Sequence, residues 1–261
     1  MTTWTFGSTD LTTYGKVTLI NDYLSSPARR GDNVVIPFRH GSIFVKKFYD
    51  ERIMTFGIAV TAANLTALEA VFDAMRKKFA PLTEQVLQAT MTDATIRQAN
   101  AIVNSAIQVE PITSKLAKVV VGFSLARPFF RSDTAIASTI ATIDGDNHDL
   151  DVDNTGTIEE RDPTIILTGP LNDVVITNTT NGLTLTWTGD LADNGHHVDI
   201  STNSTGEYIA LLDNTTNEIG NVTHTGDTAL MVFNVGVNHL HIHSDVTTTG
   251  TVEVTFNAPY A

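Results

Sequence analysis

The stretch Leu183-Thr-Leu-Thr-Trp-Thr188 alternates apolar and polar residues one by one. Successive side chains of a β-strand point to opposite faces of a sheet, so this alternation is typical of a strand with one buried face. Leu183, Leu185 and Trp187 share one face, which places the indole in a core rather than on an exposed sugar-stacking surface. The stretch therefore predicts a β-sheet with a hydrophobic interior.

The same alternation recurs through the second half of the chain, in short runs separated by Asn-Gly, Gly-Asp and Thr-Thr-Gly clusters. Such clusters supply turns, and short strands at this spacing are typical of a β-sandwich. The further runs that we interpret as strands are 164–167, 174–176, 198–200, 229–235, 240–242 and 252–256.

The first half is also mainly β, but it contains one convincing helix at about 64–79. Asn64 is a good N-cap, cations in the last turn complement the helix dipole, and Pro81 follows the end. The apolar stripe of this helix is predicted to comprise Leu65, Leu68, Phe72, Met75 and Phe79. The runs interpreted as strands are 16–19, 34–38, 43–48, 54–60, 85–91, 101–109 and 118–125.

The charge is divided sharply between the two halves. Residues 1–131 hold 15 of the 16 Lys and Arg residues and 10 of the 29 Asp and Glu residues, a net charge of +5. The remainder has one basic and 19 acidic residues, a net charge of −18, and only five of the 19 aromatic residues. This shift predicts two domains, 1–131 and 132–261, in different surroundings.

Catalysis finds little support in the sequence. Arg39-His40-Gly41 imitates the nucleophile motif of histidine phosphatases, but a second strand-like run follows directly, so we predict a hairpin turn instead. Arg and Lys are not interleaved with aromatic residues as in nucleic-acid-binding proteins, and no run of about 18 apolar residues could span a membrane. We expect a soluble, non-exported protein that is not an enzyme and has no cofactor.

Two segments resemble metal sites. Residues 149–160 place carboxylates at positions 1, 3, 5 and 12 of a calcium loop, but Asn154 stands where that loop needs Gly, so we favour a strand with Leu150 and Val152 inside. His239, His241 and His243 share one face of a predicted strand and could bind zinc with help from a neighbouring strand. We predict no metal site and leave both alternatives open.

A set of short motifs in a fixed order resembles siphophage distal tail proteins. In the first half they are Trp4-Thr-Phe-Gly-Ser8, Leu11, Tyr14-Gly15, 27–31, Ile36-Pro-Phe-Arg-His-Gly41, 49–52, 119–125 and Arg127-Pro-Phe-Phe-Arg131. In the second half they are Asn154-Thr-Gly156, Pro163, Thr168-Gly-Pro170, Gly182-Leu183, Val198-Asp199-Ile200 and Gly236-Val-Asn238. The resemblance extends over nearly the whole chain.

This resemblance implies a virion structural protein at the distal end of the phage tail, assembled in the bacterial host cytoplasm. Its first domain would form a homohexameric ring that joins the tail tube protein to the tail-tip hub protein of the baseplate. A galectin-like or carbohydrate-module-like sandwich would project outward and, in some phages, anchor receptor-binding proteins. Two alternatives stay open: a receptor- or carbohydrate-binding virion protein acting through its second domain, and a tail-tube-type ring protein.

An aromatic-rich basic domain has a surface suited to subunit contacts. The predicted subunit-interface residues are Arg29, Arg30, Arg39, His40, Phe129, Phe130 and Arg131.

Overall fold

The computed structural model describes residues 2–19, 25–35, 40, 42–43, 48–143, 148–203, 206–226, 229–245 and 249–261. Within these ranges the chain is mainly β, with a single α-helix and several antiparallel sheets, which confirms the predicted fold class. It divides into two compact units, Met1–Asp133 and Thr134–Tyr260. We call them the N-terminal unit and the C-terminal unit.

The N-terminal unit contains twelve described strands, one helix and a 3-10 turn at Leu11–Thr13, and a thirteenth strand continues into the C-terminal unit. The elements are β1 (Thr3–Phe6), β2 (Thr9–Asp10), β3 (Lys16–Leu19), β4 (Arg29–Arg30), β5 (Val34–Val35), β6 (Ser42–Ile43), β7 (Phe48–Tyr49), β8 (Arg52–Thr61), α1 (Leu65–Phe79), β9 (Gln85–Thr90), β10 (Ile96–Val103), β11 (Gln108–Thr113), β12 (Leu116–Leu125) and β13 (Phe130–Ile143).

Two long strands form the centre of the N-terminal unit. Strands β8 and β12 pair antiparallel along their whole length, from Arg52 opposite Leu125 to Thr61 opposite Leu116. Strand β3 lies beside β8 and strand β11 beside β12, which gives the order β3-β8-β12-β11. A second series, β2-β1-β9-β10-β13, joins β12 through the end of β10.

The helix begins as predicted. The Asn64 side chain accepts a hydrogen bond from the backbone N–H of Ala67 at 2.9 Å, which satisfies one of the unpaired donors of the first turn. Four of the five predicted stripe residues are buried, but Leu65 is 54% exposed, so its placement in the stripe was wrong. Leu65 is the first helical residue and precedes the turn in which Leu68 packs on the core.

Aromatic rings fill the core of the N-terminal unit. The ring centroid of Phe123 lies 4.8 Å from that of Phe6 and 5.5 Å from that of Phe56, and Phe79 brings the helix against the same cluster. Trp4 contacts Phe56 at 5.0 Å in an edge-to-face arrangement, which is a favoured geometry for aromatic pairs. The core therefore accounts for seven of the 14 aromatic residues of the first half.

The predicted strand at 101–109 is two strands, so that interpretation was wrong. Strand β10 ends at Val103 and β11 begins at Gln108, and both pair with β12. The N–H of Asn104 bonds to the carbonyl of Gly122 at 3.0 Å, and a Cβ on Gly122 would lie 2.5 Å from the Asn104 side-chain oxygen. A residue without a side chain lets the chain turn closely over β12.

The C-terminal unit contains ten further strands and a 3-10 turn at Ile219–Asn221. The strands are β14 (His148–Asn154), β15 (Thr164–Thr168), β16 (Leu171–Asn178), β17 (Leu183–Leu191), β18 (His197–Thr202), β19 (Tyr208–Leu212), β20 (Thr216–Asn217), β21 (Val222–His224), β22 (Gly236–His243) and β23 (Gly250–Tyr260). One sheet has the order β14-β22-β16-β17-β21, and the other runs β13-β23-β15-β18-β19-β20.

Both sheets contribute side chains to one core, so the C-terminal unit is a β-sandwich. Leu150 and Val152 of β14 face inward, as do Ile165 and Leu167 of β15. Trp187 is only 2% exposed, which confirms the core position predicted from its register.

The segment 229–235 is not the predicted strand, although Ala229, Leu230, Met231 and Phe233 are buried. Among the described residues it forms one isolated β-bridge, between Phe233 and Glu160, and no continuous strand pairing. Side-chain amides satisfy its backbone instead. Asn178 and Asn181 each donate to the carbonyl of Val232, at 2.9 and 2.8 Å, and Asn154 donates to the carbonyl of Phe233 at 3.1 Å.

Asn238 follows this segment in the sequence and is completely buried. Its side-chain oxygen accepts from the N–H of Asn234 at 2.8 Å, and its amide donates to the carbonyls of Asn234 and Gly236 at 2.8 and 2.9 Å. Asn178 also donates to the Asn238 oxygen at 3.2 Å. We call Asn154, Asn178 and Asn238 the asparagine network.

We predict that Asn238→Ala destabilises the protein by about 3 kcal/mol, because it leaves several part-buried backbone groups without hydrogen-bond partners. Chemical denaturation followed by tryptophan fluorescence measures the change, since Trp187 reports on this core. Thr223→Ala on an exposed strand position is the matched control and should stay within about 0.5 kcal/mol of wild type. An equally small effect of Asn238→Ala would contradict a structural role for the network.

Candidate functional site

An arginine and two aromatic rings form a cluster on the N-terminal unit. Strand β4 pairs with β7, so that Arg29 lies opposite Tyr49 and Arg30 opposite Phe48. The Arg29 guanidinium lies 5.4 Å from the centroid of the Tyr49 ring, and Tyr49 contacts Phe129 edge to face at 4.9 Å. Both contacts have favourable cation–π and aromatic geometry.

This cluster brings together residues that were predicted separately. Arg29 and Phe129 are 100 positions apart in the sequence, and Tyr49, which the interface prediction omitted, connects them. Tyr49 is half-buried, whereas Arg29 and Arg30 are exposed and Phe48 is 45% exposed. We call Arg29, Arg30, Phe48, Tyr49 and Phe129 the arginine–aromatic surface.

A buried arginine, Arg52, lies close to the residues that flank this surface in the sequence. Arg52 is 7% exposed, it donates to the backbone carbonyl of Ser25 at 2.8 Å, and its guanidinium lies 5.8 Å from the centroid of the Phe130 ring. The first contact fixes the segment that leads into β4. Arg52 therefore connects the start of β8 with the segment before β4 and with Phe130.

The remaining predicted interface residues are spread out. Phe130 is buried and contacts Trp4 at 6.0 Å, so in the isolated chain its ring belongs to the core. Arg131 is half-buried and lies opposite Gln98. His40 is exposed, and Arg39 lies outside the described residues.

The neighbourhood of His40 has the antiparallel context that we predicted. Strands β5 and β6 pair antiparallel, with Val34 opposite Ile43 and Val35 opposite Ser42, so the chain reverses direction between them. The histidine-phosphatase motif requires instead a strand of a parallel sheet followed by a helix. His40 therefore does not have the setting of a phosphorylated nucleophile.

The segment 149–160 is a strand followed by a turn rather than a calcium loop. Asp149, Asp151 and Asp153 are exposed on β14 while Leu150 and Val152 are buried, as predicted for the strand alternative. The carboxylate of Glu160 is buried and accepts from the N–H groups of Arg161 and Asp162, at 3.0 and 2.6 Å.

Three histidines at the end of the C-terminal unit's strand β22 each contact an aspartate. His239 contacts Asp151 at 2.6 Å, His241 contacts Asp149 at 2.9 Å, and His243 contacts Asp245 at 2.9 Å. Within the described ranges, no group of three or more His, Asp and Glu side chains is arranged to hold a metal ion.

A fourth pair lies in a turn, where Nδ1 of His196 contacts Asp213 at 2.8 Å. The hydrogen bond and the negative charge of Asp213 raise the pKa of His196, and the same hydrogen bond lowers the pKa of Asp213. The raised histidine pKa favours folding at low pH and this contribution fades as the pH rises through that pKa. The lowered aspartate pKa favours folding above the ordinary aspartate range, so both contributions are present between the two titrations.

We predict that Asp213→Asn returns the pKa of His196 toward the ordinary histidine value, because the carboxylate partner is removed. NMR titration of the imidazole resonances measures this shift. Asp193→Asn is the control, since Asp193 contributes only a smaller charge effect at His196 and should change its pKa less. An unchanged His196 titration in Asp213→Asn would contradict the pairing.

The structure thus defines a two-unit, mainly β protein with a β-sandwich and an arginine–aromatic surface. No protein-family model matches the sequence, and no curated protein matches it either.

Among the described elements, the helix falls short of the length and hydrophobicity that a membrane crossing needs.

Solved structures do match. The chain is similar to the Dit protein of phage SPP1, described as a paradigm of the hub adsorption apparatus in phages that infect Gram-positive bacteria. The identity is 13%, the TM-score is 0.66, and the match covers 98% of this chain and 99% of that one. The predicted resemblance to distal tail proteins is therefore confirmed at the level of the fold.

Two further matches come from baseplate structures of phage p2, one with calcium and one with strontium. Each has 9% identity and a TM-score of 0.47, and the matched shares of this chain are 98% and 100%. At this TM-score the likeness carries no argument.

Proposed function

We propose that this chain is a structural virion protein that forms a hexameric ring at the distal end of a phage tail. The observation that carries the proposal is the fold shared with SPP1 Dit, a hub protein, over 98% of this chain and 99% of that one. Both units take part in the match, so the likeness is not limited to a common β-sandwich. The protein would act as a scaffold without catalytic activity.

The arginine–aromatic surface supports self-assembly. Aromatic residues and arginine are enriched in protein interfaces, where they combine a large contact area with directional charge. The contacts of Tyr49 with Arg29 and Phe129 hold these side chains in a fixed arrangement before any partner arrives. Such preorganisation lowers the entropy cost of association.

The edges of the central sheet of the N-terminal unit also favour self-assembly. Within the part of the chain that the structure describes, β3 pairs only with β8 and β11 only with β12. Within those ranges the sheet therefore ends in two different strands, β3 and β11, and such edge strands can pair with another chain. Two different edges on one subunit suit head-to-tail contacts, which close into a ring when the rotation allows it.

The charge division suits different roles for the two units. Six copies of a C-terminal half with a net charge of −18 would repel one another and remain solvated around the ring. The ring would join the tail tube protein on one side to the tail-tip hub protein on the other. The sandwich would face outward, where receptor-binding proteins could attach, and assembly would occur in the bacterial host cytoplasm.

We predict that the double variant Arg29→Glu/Arg30→Glu dissociates the ring, shifting the assembly equilibrium toward monomer by more than tenfold. Charge reversal at a packed interface introduces repulsion and leaves the partner groups unpaired. Native mass spectrometry of the purified full-length protein measures the distribution of oligomers. Circular dichroism shows whether each variant is folded.

The control for this experiment is Lys77→Glu/Lys115→Glu, which changes the net charge by the same amount at two exposed positions. It should retain the ring. Intact rings in Arg29→Glu/Arg30→Glu would contradict the assignment of this surface, and equal dissociation in both variants would indicate a general charge effect instead.

A further inference from the structure

The sequence contains two Asn-Gly pairs, Asn181-Gly182 and Asn194-Gly195, and both lie in turns of the C-terminal unit. In such a pair the backbone nitrogen of the glycine can attack the side-chain carbonyl carbon of the asparagine. The two groups belong to neighbouring residues, so the attack is intramolecular and fast compared with attack by a separate molecule. Glycine also has no Cβ that obstructs the approach. The surroundings of each pair therefore decide whether this reaction occurs.

The first pair is held by hydrogen bonds on every group that would react. The amide nitrogen of Asn181 donates to the carbonyl of Val232 at 2.8 Å, and its side-chain oxygen accepts from the N–H of Leu183 at 3.1 Å. The N–H of Gly182 donates to the carbonyl of Asn178 at 2.7 Å. The attack would require all three bonds to break. The fold therefore protects Asn181.

The second pair lies at the tip of a tight turn. The N–H of His196 donates to the carbonyl of Asp193 at 3.3 Å, which closes the turn around Asn194 and Gly195. Both tip residues are exposed, and among the described residues the Asn194 side chain has no hydrogen-bond partner. Exposed loop tips with small and polar residues are the segments of a domain that react and vary most readily. Asn194 is therefore free to move and open to water.

The hydrogen bond of the Gly195 nitrogen differs in kind from that of Gly182. The N–H of Gly195 donates to the carboxylate of Asp193 at 2.8 Å. A carboxylate can take up a proton as a general base, whereas the backbone carbonyl that holds Gly182 cannot. An acceptor for the proton that the attacking nitrogen must lose is thus already in contact with it.

We propose that Asn194 is a site of spontaneous deamidation, and that Asn181 is not. The nitrogen of Gly195 forms a bond to Cγ of Asn194 and loses its proton, while the side-chain nitrogen takes up a proton and leaves as ammonia. Water then opens the resulting succinimide ring at either carbonyl, which leaves aspartate or isoaspartate at position 194. The sum consumes one water and releases one ammonia, with no oxidation or reduction. This modification is independent of ring formation and goes beyond the proposed scaffold function.

The product changes the surroundings of the His196–Asp213 pair. The hydrogen bond and charge of Asp213, and then the charge of Asp193, already raise the pKa of His196, and a further carboxylate nearby acts in the same direction. Isoaspartate also lengthens the backbone between Asp193 and His196. Both ends of this turn adjoin Gly169, whose N–H donates to the carbonyl of His196 at 3.0 Å. Deamidation would therefore alter both the charge and the path of the chain that leads into β18.

Incubation of the purified full-length protein in mildly alkaline buffer tests the proposal, with peptide mapping by mass spectrometry at intervals. We expect conversion of the amide to a carboxyl at Asn194 to be at least tenfold faster than at Asn181. Aspartate and isoaspartate should both appear, as a succinimide intermediate requires. In urea sufficient to unfold the protein, the two rates should come within about threefold of each other, because the protecting hydrogen bonds of Asn181 are then lost.

Gly195→Ala is the matched variant. Only the exposed Asp193 side chain lies within 4 Å of a Cβ at this position, so the turn should keep its structure, which circular dichroism verifies. The added methyl group hinders the attack on Asn194. We expect conversion at Asn194 to slow by about tenfold, whereas conversion at Asn181 should stay unchanged.

Four outcomes would overturn the proposal. The first two are no conversion at Asn194 and conversion there no faster than at Asn181 in the folded protein. The third is an unchanged rate at Asn194 in Gly195→Ala, which would exclude attack by the Gly195 nitrogen. The fourth is a tenfold difference that persists in urea, which would show that the fold does not protect Asn181.

Discussion

The C-terminal unit depends on three asparagines buried where its segments meet. A β-sandwich must satisfy the backbone groups of any segment that crosses its end without joining a sheet. Here Asn154, Asn178 and Asn238 supply these bonds for the segment 229–235, whose apolar side chains complete the core. Buried polar groups are costly unless they are all paired, so the network fixes one path for this segment.

Periodicity predicted the sheets and the helix because burial on one face leaves a direct trace in the sequence. It could not separate β10 from β11, where Asn104 turns over Gly122. It also predicted a strand at 229–235, since a short apolar run has the same sequence pattern whether neighbouring strands or asparagine side chains satisfy its backbone. Leu65 fits the helical stripe by spacing, but it stands at the exposed first position.

The candidate interface was predictable in its residue types and not in its geometry. Charge and aromatic content pointed to the first domain, but most of the aromatic rings that the structure describes there lie in or against the core, including Phe130. Strand pairing that the sequence does not display places Tyr49 between Arg29 and Phe129. Several motifs of the family resemblance have structural reasons. Gly156 lies too close to the carbonyl of Pro259 for any side chain, and Gly236 has a φ of +89°.

The central proposal is that copies of this chain assemble into a hexameric ring. Electron microscopy of the purified full-length protein, with class averages of negatively stained particles, tests this claim most directly. We expect discrete single rings with six-fold symmetry. Dispersed monomers at the concentrations used for assembly, or long stacked tubes, would contradict it.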